Sequence, residues 1–284
     1  KEENDAAARK IPAANFPPVP KRLIHYVGKA LVDYSMINDG DRILVALSGG
    51  KDSLSLLHVL NYFKKKSPVK FDIGAVTVDP QTPEYDPSSL IPYLKSLGIP
   101  YFYERQPIME QAEEVNSKTK VSICAFCSRM KRGVIYNCAR TNGYNVIAMG
   151  QHLDDLAESF IMSAFYNGLL RTMKANYTND AGDLRIIRPL VLSREKYMAE
   201  FAREAKLPVI AENCPACFAA PKERHRIKIM LSAQENLFPS LFPSLLKTMQ
   251  PLMTANLEDI LGATKSNEDD EQIGKCSSGT CEVQ

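Results

Sequence analysis

The sequence predicts an α/β fold: an open parallel sheet with helices on both faces, followed by a helical C-terminal extension. Three observations carry that expectation. Short apolar runs of strand length alternate with segments of helical periodicity over most of the chain. The strands read as near-continuous apolar stretches, the pattern of parallel strands covered on both faces. One strand breaks straight into a glycine turn that opens a helix, "RILVALSGGKDSLSLL" at 42–57.

Each element follows in order. Residues 1–20 hold four prolines and no apolar periodicity, and are expected to form an extended or disordered arm. "KRLIHYVGKALVDYSM" places apolar residues at helical intervals. After the strand at 42–47 come the helix "DSLSLLHVLNYFKK", a strand "FDIGAVTVD" at 71–79, a helix "SSLIPYLKSLG" expected to break near Pro92, a short strand "PYFYER" and a helix "IMEQAEEV". "NVIAMG" at 145–150 is a further buried strand, followed by the helix "DDLAESFIMSAFYNGLL". "LRIIRPL" at 184–190 and "REKYMAEFAREAKL" at 194–207 supply a fifth strand and its helix, and such alternation implies right-handed crossovers. From about residue 221 the chain is helical without strand signals. Four segments result: the arm 1–20, a core domain 21–220, the helical extension 221–262 and an acidic tail 263–284 with too little apolar surface to fold. His25, His58 and His225 read as helix-surface residues.

With 45% hydrophobic and 24% charged residues, the chain has the make-up of a globular protein rather than a disordered one. No apolar stretch approaches the roughly 18–20 residues that cross a bilayer. The first residues lack the apolar core of a signal peptide, so the expected location is the cytoplasm, with no membrane partner. The net charge of +2 conceals an asymmetry, because residues 258–284 carry seven acids and two bases and leave the rest of the chain basic. A polyanionic partner such as RNA fits that balance, and so does an ordinary solvated surface.

Seven cysteines, an odd number, argue against a disulfide framework. Cys124 and Cys127 form one CxxC pair, and Cys214 and Cys217 another, which suggests a metal site closed by tertiary folding. Thiolates bind zinc or iron-sulfur clusters, and four cysteines fit structural zinc on counting alone. The plainer reading is a set of reduced thiols packed as small hydrophobes. Cys138, among apolar helix neighbours, reads as structural; Cys276 and Cys281 receive no role.

A glycine turn between strand and helix aims backbone N–H groups and the positive helix end at one point, which suits phosphate oxygens. "SGGKDS" at 48–53 matches neither G-x-x-x-x-G-K-[ST] nor G-x-G-x-x-G, and a tight turn with a chance lysine is its bland alternative. Asp154 and Asp155 follow a strand's carboxyl end, the edge where open α/β sheets bind ligands. There they suit Mg2+ on ATP phosphates or proton transfer, or they merely complement the helix dipole. His152 is the histidine expected beside them.

SGGKDS in this setting resembles the pyrophosphate-binding loop of the PP-loop, or N-type, ATP pyrophosphatase family, whose members transfer AMP to a substrate oxygen and release pyrophosphate. The resemblance implies an adenine nucleotide α-hydrolase-like, Rossmann-like fold. It assigns phosphate contacts to Ser48, Gly49, Gly50, Lys51, Asp52 and Ser53, with Lys51 offsetting charge on the departing pyrophosphate. "CAFCSRMKRG", "GQHLDD", "RPLVLSREKYMAEFA" and "ENCPACF" are similar to the 2-thiouridine and 2-thiocytidine synthetase branch, and extend the likeness toward tRNA 2-thiocytidine synthetase over about residues 20–260.

That branch implies a 4Fe-4S cluster on three cysteines with one iron open to exogenous sulfur. Carried onto this chain, the ligands are Cys124, Cys127 and Cys214, with Cys217 as the alternative third ligand. Asp155 falls at the catalytic aspartate, and Asp154 stands beside it with the nucleotide. The implied cofactors are ATP and Mg2+ with the cluster. The implied partners are tRNA, modified at cytidine 32, and a sulfur donor such as a cysteine desulfurase; a homodimer is compatible. Arg129, Lys131, Arg132, Lys222, Arg224, Arg226 and Lys228 lie where RNA phosphates would run, a solvated helix face being the alternative. Competing functions are thiolation of uridine, PP-loop chemistry on a small molecule, and a non-catalytic nucleotide-binding iron-sulfur or zinc protein.

Overall fold

A computed structural model describes residues 16–82, 85–112, 123–210 and 223–254, with side chains from Phe126 onward in the third segment. In chain order the elements are α1 (Lys21–Asp33), β1 (Asp41–Ala46), α2 (Lys51–Lys66), β2 (Phe71–Asp79), α3 (Leu90–Ser96), β3 (Tyr101–Arg105) and α4 (Ile123–Thr141). There follow β4 (Val146–Ala148), α5 (Leu153–Asn167), β5 (Asn176–Thr178), β6 (Arg185–Ile187), α6 (Glu195–Glu204), α7 (Glu223–Leu237) and α8 (Leu241–Thr254).

The strands form one six-stranded sheet in the order β3-β2-β1-β4-β6-β5. All neighbouring pairs are parallel except β5 with β6. The antiparallel edge strand β5 was not expected, because the three residues Asn-Tyr-Thr are too few and too polar to show a period. The expected break near Pro92 does not occur: Pro92 is the third residue of α3, in the first turn, where no intrahelical N–H is required. Of the helix expected at 108–115, residues 108–112 are described and helical. Residues 1–15 of the arm and the tail 263–284 lie outside the described residues.

Alternate strand residues feed two cores, as the pleat requires. On the first face Ile43 and Val45 join Leu23 and Val27 of α1, Leu54 and Leu57 of α2, and Met198 and Phe201 of α6. Helices α7 and α8 add Ile227, Leu231, Phe242, Met249 and Met253 to that same core, so the C-terminal extension completes a layer of the domain. On the second face Leu44, Val76 and Ile147 meet Ile135, Cys138 and Ala139 of α4.

His58 corrects the sequence expectation, because it is 1% exposed rather than on a helix surface. Helix α2 is buried continuously from Ser53 to Asn61, so its apolar period marks no outward side there. The His58 ring lies 2.6 Å from the Tyr93 hydroxyl, and burial pushes its pKa down to about 4. Among the described residues no helix is long and apolar enough to cross a membrane.

Candidate active site

The chain leaves β1 at the carboxyl edge of the sheet and turns into α2 through Ser48, Gly49 and Gly50. Gly50 is the N-cap of α2 and no side chain caps the helix, so the N–H groups of its first turn point at the sheet edge. Gly49 has φ 86°, and a Cβ there would stand 2.6 Å from Ile210 Cδ1, so conformation and space both demand glycine. Ser53 Oγ donates to the Gly50 carbonyl at 3.0 Å and lies 3.2 Å from Ser48 Oγ, which braces the turn from inside. Two neighbours grip it from outside: the Tyr85 hydroxyl donates to the Ser48 carbonyl at 2.9 Å, and the Ile210 N–H to the Gly49 carbonyl at 3.0 Å.

Lys51 Nζ lies 2.9 Å from Glu195 Oε1 and 3.2 Å from Asp52 Oδ2. Burial opposes its charge, but Glu195 and Asp52 outweigh burial and leave its pKa above the usual lysine value. Burial raises the Asp52 pKa against the pull of His152 and Lys51. Asp52 Oδ1 is buried with no hydrogen-bond partner among the described residues.

His152 caps α5: its Nδ1 accepts the Asp155 N–H at 3.4 Å while its own N–H donates to Asp155 Oδ2 at 3.1 Å. The neighbouring aspartates then part company. Asp155 keeps its side chain 24% exposed and meets Arg224 Nη1 at 3.3 Å. Asp154 turns inward, where Arg194 Nε donates to Oδ1 at 3.1 Å and the Glu195 N–H to Oδ2 at 2.7 Å. Both Asp154 oxygens are thereby engaged in fixing the start of α6, the element that presents Glu195 to Lys51.

One turn further along α5, Glu158 is 4% exposed and 3.7 Å from Arg224. Burial, reinforced by the charge of Asp155, pushes its pKa up to about 7. Glu158 and Glu195 share a cavity of about 250 Å³ between α5, α6 and α7, lined also by Arg194, Lys228 and Glu235. Glu158 and Glu195 were missed in the sequence. Glu195 carried one weak signal, its place in the first helical turn after a strand's carboxyl end.

Of the two CxxC pairs, only the first falls on a described element. Cys124 and Cys127 lie near the start of α4, with Cys127 half-buried against the second core. Lys131, one turn on, holds its Nζ 5.9 Å from the ring centre of Tyr85, the residue that binds the Ser48 carbonyl. Cys214 and Cys217 lie outside the described residues. Cys276 and Cys281 also lie outside the described residues. Cys138 is 3% exposed with its pKa pushed up to about 11 by burial, an inert core thiol as expected. Among the described residues no three His, Cys, Asp or Glu side chains converge to hold a metal ion.

The basic residues divide by helix. On α7, Arg224 pairs with Asp155 and Glu158, Arg226 with Glu223 and Lys228 with Glu195. On α4, Arg129 and Arg132 are exposed. Lys222 lies outside the described residues.

The PP-loop domain family matches residues 22–231. A tRNA-cytidine(32) 2-sulfurtransferase of Geobacter sulfurreducens is 37% identical over 84% of this chain and 93% of its own length. The chain belongs to the PP-loop family, in its 2-thiocytidine synthetase branch. A relative of the same name from Aliivibrio salmonicida is 37% identical over 86% of this PP-loop protein and 79% of its own length. Among solved structures, the U34-tRNA thiolase NcsA of Methanococcus maripaludis, with its 4Fe-4S cluster, superposes with a TM-score of 0.69 at 20% identity. The match covers 82% of this chain and 78% of that one, and places both in one fold.

Proposed function

We propose that this protein is an ATP-dependent tRNA thiolase. It binds MgATP at residues 48–53 and transfers AMP to the C2 oxygen of a tRNA cytidine, at position 32 as in the named relatives. Pyrophosphate departs; sulfide-level sulfur then bonds to C2, the C2–O bond breaks, and AMP leaves carrying that oxygen. The observation that carries this reading is the double grip on the phosphate loop. Tyr85, beside Lys131 of α4, binds the Ser48 carbonyl, and Ile210, four residues before Cys214 in the sequence, binds the Gly49 carbonyl.

Each residue has a part set by its position. The first-turn N–H groups of α2 and the Lys51 ammonium stabilise charge on the leaving pyrophosphate. Asp52, with its unpartnered buried oxygen, fits a hard oxygen-seeking cation and would hold the Mg2+ of MgATP, with Asp154 behind it fixing α6. Asp155, partly exposed and oriented by His152, accepts or returns a proton. Cys124, Cys127 and Cys214 form a soft donor set suited to a 4Fe-4S cluster, which when bound supplies a carrier for the incoming sulfur. Arg129 and Arg132, exposed on α4, would meet RNA phosphates, while the target base leaves its stack to reach the loop. A cysteine desulfurase as sulfur donor, a homodimeric assembly and a cytoplasmic location belong to the same reading.

The test is anaerobic incubation of the protein with tRNA, MgATP and sulfide, followed by mass spectrometry of the nucleosides. Formation of 2-thiocytidine with stoichiometric AMP is expected. Thiolated uridine alone, or AMP formation indifferent to tRNA, would sink the assignment to cytidine.

A further inference from the structure

Glu195 stands where the phosphate loop meets the C-terminal extension. Its Oε1 lies 2.9 Å from Lys51 Nζ and its Oε2 2.6 Å from Lys228 Nζ, so one carboxylate is shared by two ammoniums from different elements. Burial works to raise its pKa, yet Lys228 and Lys51 together hold it down to about 2. The carboxylate is anchored through its own backbone. The Glu195 N–H is bound by Asp154 at 2.7 Å, and the preceding Arg194 is clamped by Glu235 at 2.7 and 2.8 Å.

Lys51 reaches Glu195 on a four-carbon arm from the first residue of α2. Phosphates arriving at that helix end attract the same ammonium, so two anions compete for one cation. We propose that Glu195 is a positioning residue that holds Lys51 in the nucleotide-free loop and yields it to the phosphates, while Lys228 of α7 retains Glu195. Nucleotide affinity is then set in part from the far side of Glu195, by how well α7 satisfies it.

The competition has a sign. Replacing Lys228 leaves Glu195 to Lys51 alone, tightens that pair and weakens phosphate binding. Replacing Glu195 leaves Lys51 to the longer Asp52 contact alone and strengthens phosphate binding. An ion pair with a purely structural role moves both variants the same way, through lost stability.

This inference rests on the loop being a phosphate site and not on which base is thiolated. The experiment is calorimetric titration of the full chain with MgATP, and separately with pyrophosphate, in wild type, Glu195→Gln, Lys228→Met and the double variant, with the melting temperature of each. The expected result is binding on the order of fivefold tighter for Glu195→Gln and fivefold weaker for Lys228→Met, with the double variant tracking Glu195→Gln. Equal affinities throughout, or shifts of one sign in both single variants, overturn the inference. A wild type that binds neither probe overturns it together with the phosphate-loop reading. Binding without any tRNA thiolation sinks the proposed function alone, and the four affinities still decide the role of Glu195.

Discussion

The Ile210 N–H donates to the Gly49 carbonyl at 3.0 Å, and Ile210 Cδ1 occupies the space where a Gly49 side chain would begin. The glycine turn after β1 and Ile210 are therefore one packed unit. Gly49→Ala forces a side chain into left-handed backbone, worth about 1–2 kcal/mol, and into the isoleucine, worth about 1–3 kcal/mol more. A lowered melting temperature and weakened ATP binding are expected. Adding Ile210→Ala relieves the clash but not the strain, so the double variant should be more stable than the sum of the two singles predicts. Strict additivity in thermal denaturation would refute the contact.

Asp154 and Asp155 are adjacent in sequence but serve different ends. Asp154→Asn leaves Arg194 and the start of α6 short of a buried carboxylate, and should destabilise the fold by roughly 2–3 kcal/mol in urea denaturation. Asp155→Asn keeps an oxygen for the capping bond and should melt near the wild type. Its turnover should nevertheless fall by about 10²-fold or more, the scale of a lost proton-transfer group. Equal losses of stability in the two variants would remove the distinction.

Glu158 gives stability a pH dependence of defined sign. Its folded pKa of about 7 lies above the ordinary value of 4.5. The unfolded chain therefore ionises first, and the stability present below pH 4.5 is lost as pH rises toward 7. Glu158→Gln removes that loss and should gain on the order of 2 kcal/mol over wild type at pH 8, with little difference at pH 4. Denaturant midpoints for both proteins across that range provide the check.

Legibility in the sequence followed how local each signal was. The glycine loop could be read because six consecutive residues, Ser48 to Ser53, carry it alone, and the parallel sheet because its strands are apolar runs. β5 could not, since Asn176–Thr178 is a strand only through its pairing with β6. His58 was misplaced because helical period says which residues share a side, not whether the opposite side is covered as well. Glu195 was missed for a related reason: its meaning lies in Lys51 and Lys228, distant in sequence and joined to it by tertiary packing. The likeness of "CAFCSRMKRG" to a cluster-binding family was legible as a motif, whereas the route from Ile210 to Gly49 needed the fold.

Cys127 and Cys138 lie on the same helix and offer an internal control for the metal assignment. Cys138 is buried among Leu44, Ile135 and Ile147 with its thiol pushed toward the protonated form and its sulfur accepting from Asn142, so it serves structure. Cys138→Ala should cost about 1 kcal/mol of stability and leave iron and sulfide content unchanged. Cys127 sits half-buried near the start of α4, on the flank that Lys131 and Tyr85 connect to the loop. Cys127→Ala should lose most of the iron after anaerobic purification and the visible absorbance with it, while MgATP binding, which depends on Lys51 and α2, stays within about twofold of wild type. Iron retained in Cys127→Ala, or stoichiometric zinc in the wild type, would contradict the cluster ligation proposed for Cys124, Cys127 and Cys214.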